Sequence, residues 1–346
     1  MKKLIPLFLL LNLTILSIAQ DGPGHDIGVS IGPTFALTDL GGANKLGAPF
    51  IRDVDFRATR YALSVFYRYN FSKWAALRTN LMWAMLSAND KNVTGCLDCN
   101  NGGPSNSWYR SHRNLNFTTH IIELQFIGEL NLKKYMHDIS GKHEKERWAP
   151  YVGGGLGFFW FNPYTKAVNA DGQYSGSKIK LRKLGTEGQG LPGMPKIYSA
   201  FKFDLVGLIG IKFNVTDKLS MAFELIYHQT FTDYLDDVSG NYPDSSVLAQ
   251  MSPLAKEFSD RSNEPGAPWP DPNPSVLSIY NVTVRDAGGK GQERGDNNIG
   301  DTKGINDQFF QVQLTFSIAL GEFSRKAGFG CGRKNPYGHK FSCPKW

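Results

Sequence analysis

Past its first nineteen residues the sequence holds no apolar run of the roughly 20 residues that a membrane-crossing helix needs. Cysteine is scarce, with four in 346 residues, and no basic run occurs. The 38 Lys and Arg stand against 31 Asp and Glu, a formal charge of +7. Setting Lys2 and Lys3 aside with the leader described below leaves +5 (7 minus 2), which gives nucleic-acid binding no support. A G-x-S-x-G elbow is missing too, as are internal repeats, low-complexity tracts and any obvious domain linker. If a chain without membrane helices lives in a membrane, it does so as a closed barrel, because hydrocarbon offers its backbone polar groups no other partner. What the sequence has in quantity suits that class. Its 37 Gly, 23 Phe and 14 Tyr supply turns, crowded interiors and interfacial aromatic girdles.

The chain opens with Lys2 and Lys3, an apolar run over residues 4–16, and then Ser17, Ile18 and Ala19. That is the layout of a secretory signal peptide cut before Gln20, since the run is shorter than a membrane anchor and has signal-type flanks. No Cys follows the cleavage point, so a lipoprotein anchor is not indicated. The expected division is a signal peptide over 1–19, a barrel over 20–320 and a Cys-containing basic tail over 321–346.

Residues 219–231 state the dominant pattern. Leu219, Met221, Phe223, Leu225 and Tyr227 fall on one face of a strand, and Ser220, Ala222, Glu224 and His228 fall on the other. At about 3.3 Å per residue this segment reaches roughly 40 Å, enough for a tilted strand to cross a hydrocarbon layer. Seven more segments alternate: 25–35, 60–70, 74–86, 117–132, 150–161, 203–214 and 308–319. Within 60–70, Phe66 is the one bulky residue on the polar face, and glycines blur the alternation of 150–161. Short connections (71–73, 133–149, 215–218) interleave with long ones (36–59, 87–116, 162–202, 232–307), the asymmetry of a transmembrane barrel. The expected fold is therefore all-β, an eight-stranded antiparallel transmembrane β-barrel with long extracellular loops and both termini in the periplasm.

An eight-stranded barrel is wide enough only for its own side chains. Arg68, Arg78 and Lys212, with Glu123, Glu129, Asp204 and Glu224, are expected to fill it as a network of ion pairs, which argues against a porin. A soluble lipocalin-like barrel would need the reverse arrangement, apolar within and polar without.

Other polar residues admit two readings. His228 shares the inward face with Ser220, Glu224 and Thr230, and lipid-modifying barrels use His with Ser or an acid near the bilayer edge; equally, it is one polar residue in a polar wall. Asp233, Asp236, Asp237 and Asp244 crowd the start of the last long connection. Their spacing is not that of an EF-hand, so they read either as a Ca²⁺ cluster or as Asx turns and loop caps. Cys96 and Cys99 lie in the second long connection, and Cys331 and Cys343 in the tail. In an oxidising compartment, disulfides within each pair are the simplest reading. No catalytic residue, cofactor, metal or small-molecule substrate is assigned. The tail carries Lys326, Arg333, Lys334, Lys340 and Lys345 against a single carboxylate, Glu322, a cationic knob suited to an acidic or polar partner.

Several segments carry a resemblance. They are HDIGVSIGPTFALTDLGG (25–42), NFTTHIIELQFIGELNL (116–132), RWAPYVGGGLGFFWFNP (147–163), LGTEGQGL (184–191), FELIYHQTFTDYLDDVSGNYPD (223–244) and RGDNNIGDTKGINDQFF (294–310). With them the chain resembles the PorG-like outer-membrane β-barrels of the Bacteroidetes type IX secretion system, TFTDYLDDVSG being the most specific segment. The resemblance implies a non-enzymatic envelope component, set in outer-membrane lipid and associated with the periplasmic ring subunits PorK and PorN. That system exports proteins carrying a C-terminal signal, and in many such bacteria it serves gliding motility. The insert over roughly 241–306 and the tail Cys pair depart from the family pattern. A barrel enzyme acting on lipid, or a small-solute porin, stands as the alternative.

Overall fold

The structure, a computed structural model, describes residues 24–40, 55–72, 74–93, 106–133, 135–136, 148–216, 218–262, 264–267, 294 and 306–320. All four cysteines, the leader and the tail with Lys326, Arg333, Lys334 and Lys340 lie outside them.

Ten strands form one sheet: β1 (His25–Leu37), β2 (Arg60–Asn70), β3 (Ala75–Asn89), β4 (Asn116–Asn131), β5 (Trp148–Phe161), β6 (Tyr164–Val168), β7 (Tyr174–Lys180), β8 (Phe201–Asn214), β9 (Leu219–Thr230) and β10 (Gln308–Ala319). Eight of them close on themselves in the order β1-β2-β3-β4-β5-β8-β9-β10, with β10 returning to β1, and every pairing is antiparallel. No barrel strand has a free edge, so each ladder group inside the wall finds its partner. Directly opposed residues run Val29, Val65, Leu81, Leu124, Phe158 and Phe203 around the wall. Continuing with the β8–β9, β9–β10 and β10–β1 registers leads back to β1 at position 39, a stagger of ten residues (39 minus 29). Such a stagger tilts the strands by about 40° and leaves an interior that side chains can fill.

The wall sorts its residues by strand parity. Outward positions include Ile31 (54% exposed), Leu63, Val65, Leu81, Ile122, Phe158, Ile209, Phe223 and Val312, a belt of aliphatic and aromatic side chains. Inward positions include Ser30, Ser64, Arg68, Asn80, Gln125, Glu224, Gln311 and Thr315, all buried. Burying hydroxyls, amides and charges while exposing a continuous apolar belt would be unfavourable in water, and a bilayer reverses the sign. The inward exception Phe66 has a reason. Its ring lies 4.0 Å from the Arg78 guanidinium carbon and 5.0 Å from that of Arg68, so it serves as an apolar floor for two cations.

The long connections hold structure that alternation at period two does not signal. β6 and β7 form a hairpin beyond the rim that joins the β4 ladder at Thr118 and Tyr164, with Asn116 of β4 also bonded to Thr165 and Tyr174. Among the described residues three α-helices also lie there: α1 (Asn106–Arg113), α2 (Ser245–Gln250) and α3 (Pro253–Ser259). Ser252 caps α3 by accepting the Ala255 N–H at 3.1 Å, with Pro253 in the first turn, where its missing N–H costs nothing.

The orientation of faces has a direct test. Leu225 points outward at mid-strand, opposite Val312 and Ile209. Leu225→Arg should cost about 2–4 kcal/mol of folding free energy in lipid vesicles, measured by urea titration, and Ser220→Arg near the strand end should cost less. Equal losses would mean that the faces are reversed.

Candidate functional site

The barrel interior is stacked in layers from the short-turn end to the end with the long connections. Lowest is a charged layer. The Arg68 Nε lies 2.7 Å from Glu129 Oε2, and its Nη1 lies 3.4 Å from Asp26. Arg78 donates to both oxygens of Glu224, at 2.8 and 3.0 Å, and stands 3.5 Å from Glu129. Tyr151 donates its hydroxyl to Glu224 as well, and Lys212 sits 5.6 Å above the Tyr151 ring. Two guanidiniums thus face three carboxylates, with the Lys212 ammonium beside them.

Amides and hydroxyls occupy the next layer. Asn80 donates to Gln125 at 2.7 Å, Gln313 donates to Gln311, and Thr315 donates to Ser30 at 2.9 Å. Above them stands a separate acidic group on three strands: Glu123 of β4, Asp204 of β8 and His228 of β9. His228 Nδ1 lies 2.7 Å from Asp204 Oδ2 and 3.5 Å from Glu123 Oε1. The imidazole stacks on Phe309 with centroids 4.0 Å apart, and its Nε2 lies 3.1 Å from Gln311 Nε2. The expected interior charges therefore divide: Arg68, Arg78, Glu129, Glu224 and Lys212 gather at one level, and Glu123 and Asp204 join His228 at another. Ser220 takes no part, since its hydroxyl donates to Asn214 at the other end of β9.

Over the mouth lies an apolar layer continuous with the connections. Met82, Ala84, Ile121, Phe159, Phe161 and Phe309 of the wall pack in one cluster with Leu40, Leu115, Leu181, Tyr198, Leu235, Val238 and Phe258 of the long connections. Buried arginines tie this cap together by donating to backbone carbonyls. Arg113 clasps Asp90 at 2.8 and 3.0 Å and donates to the carbonyls of Arg294 and Asp39, both at 2.7 Å. Arg294 in turn reaches the carbonyls of Asp237, Phe258 and Ser259. In LGTEGQGL, Gly185, Gly188 and Gly190 all have positive φ, the conformation that curls this segment around Glu187. The Glu187 carboxylate then accepts the N–H groups of Ser239 and Gly240 and lies 3.3 Å from Arg294.

The aspartates after β9 act as loop caps. Asp236 accepts the N–H of Val238, an Asx turn, and with its other oxygen that of Leu40. Asp237 accepts from Thr186 and Tyr198, both at 2.6 Å, Asp233 from Ser239, and Asp307 from the Leu235 N–H. These carboxylates serve separate donors, and Asp244 is exposed and apart. Burial, followed by the charge of Asp39, pushes Asp233 up to about 7 and Asp236 well above the usual carboxylate range. Burial likewise lifts Asp237 to about 6 against the opposing charge of Arg294.

With a closed antiparallel wall, polar layers inside and an apolar belt outside, the chain is a transmembrane β-barrel. No protein-family model and no curated protein matches it. Solved structures similar to it include Neisserial surface protein A, 8% identical over 85% of this chain and 96% of that one, with a TM-score of 0.33. OprG from Pseudomonas aeruginosa is 11% identical over 86% and 94%, with a TM-score of 0.31. Ail of Yersinia pestis is 10% identical over 60% and 89%, with a TM-score of 0.28. These likenesses are distant, and the barrel stands on its own registers and closure.

Two outcomes follow. Arg78→Met removes a counter-charge from two buried carboxylates and should destabilise the barrel by about 3–5 kcal/mol, and adding Glu224→Gln should recover part of that loss. Denaturant midpoints of the single and double variants in micelles read the coupling, and simple additivity would refute it. For the cap, folded-state pKa values raised above the ordinary 3.8 mean that stability is fully present at low pH and is lost as pH rises through about 6 to 7. Proteolysis of the long connections, normalised to cleavage of an unfolded substrate, should be slower at pH 5 than at pH 8, and Asp233→Asn should narrow the difference. Equal resistance at both pH values would contradict the assignment.

Proposed function

We propose that this protein is a non-enzymatic, non-conducting component of the type IX secretion machinery in the outer membrane, working through its surfaces. The observation that supports a role without passage is the filled barrel: guanidiniums, carboxylates and amides occupy its length, and an apolar cap covers one mouth. A small-solute pore needs a continuous wet path, and a lipid-modifying enzyme needs its acid and base in reach of substrate, whereas the His228 side chain is fully buried. Assignment to secretion rests on the sequence segments that resemble PorG-like barrels. In this reading the long connections face outward, both termini are periplasmic, and the ring subunits PorK and PorN associate from below. Support for protein export, and for gliding where it occurs, follows from that association.

The basic tail, with Lys326, Arg333, Lys334 and Lys340, is the docking element in this proposal. Deleting the residues after Ala327 should leave an inserted barrel of normal heat-modifiable mobility, while ring subunits no longer co-purify and secretion falls. Unchanged co-purification and secretion would remove the tail from the interface and point to residues 133–148, the other basic short-end segment. Ion conductance or lipid turnover by the purified barrel would overturn the functional class itself.

A further inference from the structure

We propose that Glu123, Asp204 and His228 form a binding site for one divalent transition-metal ion, Zn²⁺ or an ion of similar ligand preference, inside the barrel beneath the cap. Their candidate ligand atoms all lie within 4.8 Å of one another, and all three side chains are 0% exposed. Proximity alone would make an ordinary buried ion triad. The carboxylate oxygens point further: among the described residues, with His228 Nδ1 standing 3.5 Å off, neither Oε1 nor Oε2 of Glu123 accepts a hydrogen bond of good geometry, and Oδ1 of Asp204 accepts none either. A buried carboxylate left without donors is among the costliest groups a protein can hold, so these oxygens call for a cation.

Gly157 of β5 supplies an independent observation. A Cβ built there would collide with Glu123 Oε1 and with Asp204 Oδ1. Two donor-less oxygens from different strands therefore lean together over the inward position at which the wall carries no side chain. Glycine is required there because the carboxylates use the room that any other residue would fill.

The donor set defines the ion. Ligands bound about 2.0–2.2 Å from a tetrahedral centre stand roughly 3.4 Å apart, and His228 Nδ1 is already 3.5 Å from Glu123 Oε1. An imidazole with two carboxylates suits Zn²⁺, Mn²⁺ or Fe²⁺ better than the all-oxygen preference of Ca²⁺ and Mg²⁺. Charge agrees: a neutral imidazole and two carboxylates sum to −2, and the barrel guanidiniums are engaged by Glu129, Glu224 and Asp26. Around this group, Phe309 and Gln311 fix the imidazole ring. Binding at Nδ1 displaces its proton, Nε2 carries the remaining one, and Gln311 then presents its oxygen to Nε2 by an amide flip, with Gln313 flipping likewise so that its oxygen accepts from the Gln311 amide. The ion would fasten β4 to β8 and β9 across β5, just under the cap. It is independent of any role in secretion.

The test uses the full chain purified from membranes in detergent with its cysteines alkylated, so that thiolates do not compete. Inductively coupled plasma mass spectrometry should find about one equivalent of Zn, Mn or Fe, or of Zn²⁺ after refolding in its presence. Refolding with Co²⁺ instead should give visible d–d bands of a nitrogen and oxygen ligand set, without thiolate charge transfer. Glu123→Gln and His228→Gln, checked for folding by heat-modifiable migration, should each lower retained metal about tenfold. Retention below about a tenth of an equivalent under both loading conditions would overturn the site, as would unchanged retention in folded variants. If neither variant folds, the Co²⁺ spectrum of the unsubstituted chain decides, and absence of the bands refutes the proposal.

Discussion

Closure of the backbone ladder is the constraint on which everything else in this molecule depends. In hydrocarbon an unpaired N–H or C=O costs several kcal/mol, so a sheet can stand there only without edges. Closing eight strands with a stagger of ten residues sets the tilt and the width of the barrel. Width in turn dictates content. Side chains from opposite walls meet in the middle, as Arg78 of β3 meets Glu224 of β9, and a charge pointing inward must find its partner among residues distant in sequence. The inward glycines of β5 belong to the same constraint, since Gly157 gives up its side chain to the carboxylates of two other strands.

The end bearing the long connections is governed by different physics. There the chain leaves the ladder and must satisfy its backbone by other means. Arg113 and Arg294 do so with planar forks that donate to several carbonyls at once, and Arg261 donates to the Lys166 carbonyl and the Thr165 hydroxyl. Aspartates supply the complementary acceptors for exposed N–H groups. Burial first, and the neighbouring carboxylates after it, raise their pKa values and make the cap the acid-favoured part of the structure. Between cap and charged layers, Phe159, Phe161 and Phe309 seal the mouth with apolar surface.

Strand positions were legible because one physical signal repeats. Lipid outside and polar groups inside impose a period of two, which residues 308–319 display with Phe310, Val312, Leu314, Phe316 and Ile318 against Gln311, Gln313, Thr315 and Ser317. Even the blurred segment 150–161 lay within β5, with Gly153, Gly155 and Gly157 at inward positions under pressure from neighbours and Gly154 facing out. The hairpin β6–β7 and the three short helices escaped notice. They lie in no lipid, pack on only part of their surface and so carry no sustained period. Phe66 looked like an exception until the two guanidiniums stacked on it were in view.

By itself the amino-acid sequence determined the eight strands, their two faces and the membrane class, because each depends on residues adjacent along one strand. Only the tertiary structure decided which charges meet. Glu123 and Glu129 lie six residues apart on one face of β4, and nothing local separates their fates. The stagger of the closed wall carries Glu129 to Arg68 and Arg78 and Glu123 to Asp204 and His228. Pairing across a barrel depends on the registers of all the strands between, a sum no short segment contains.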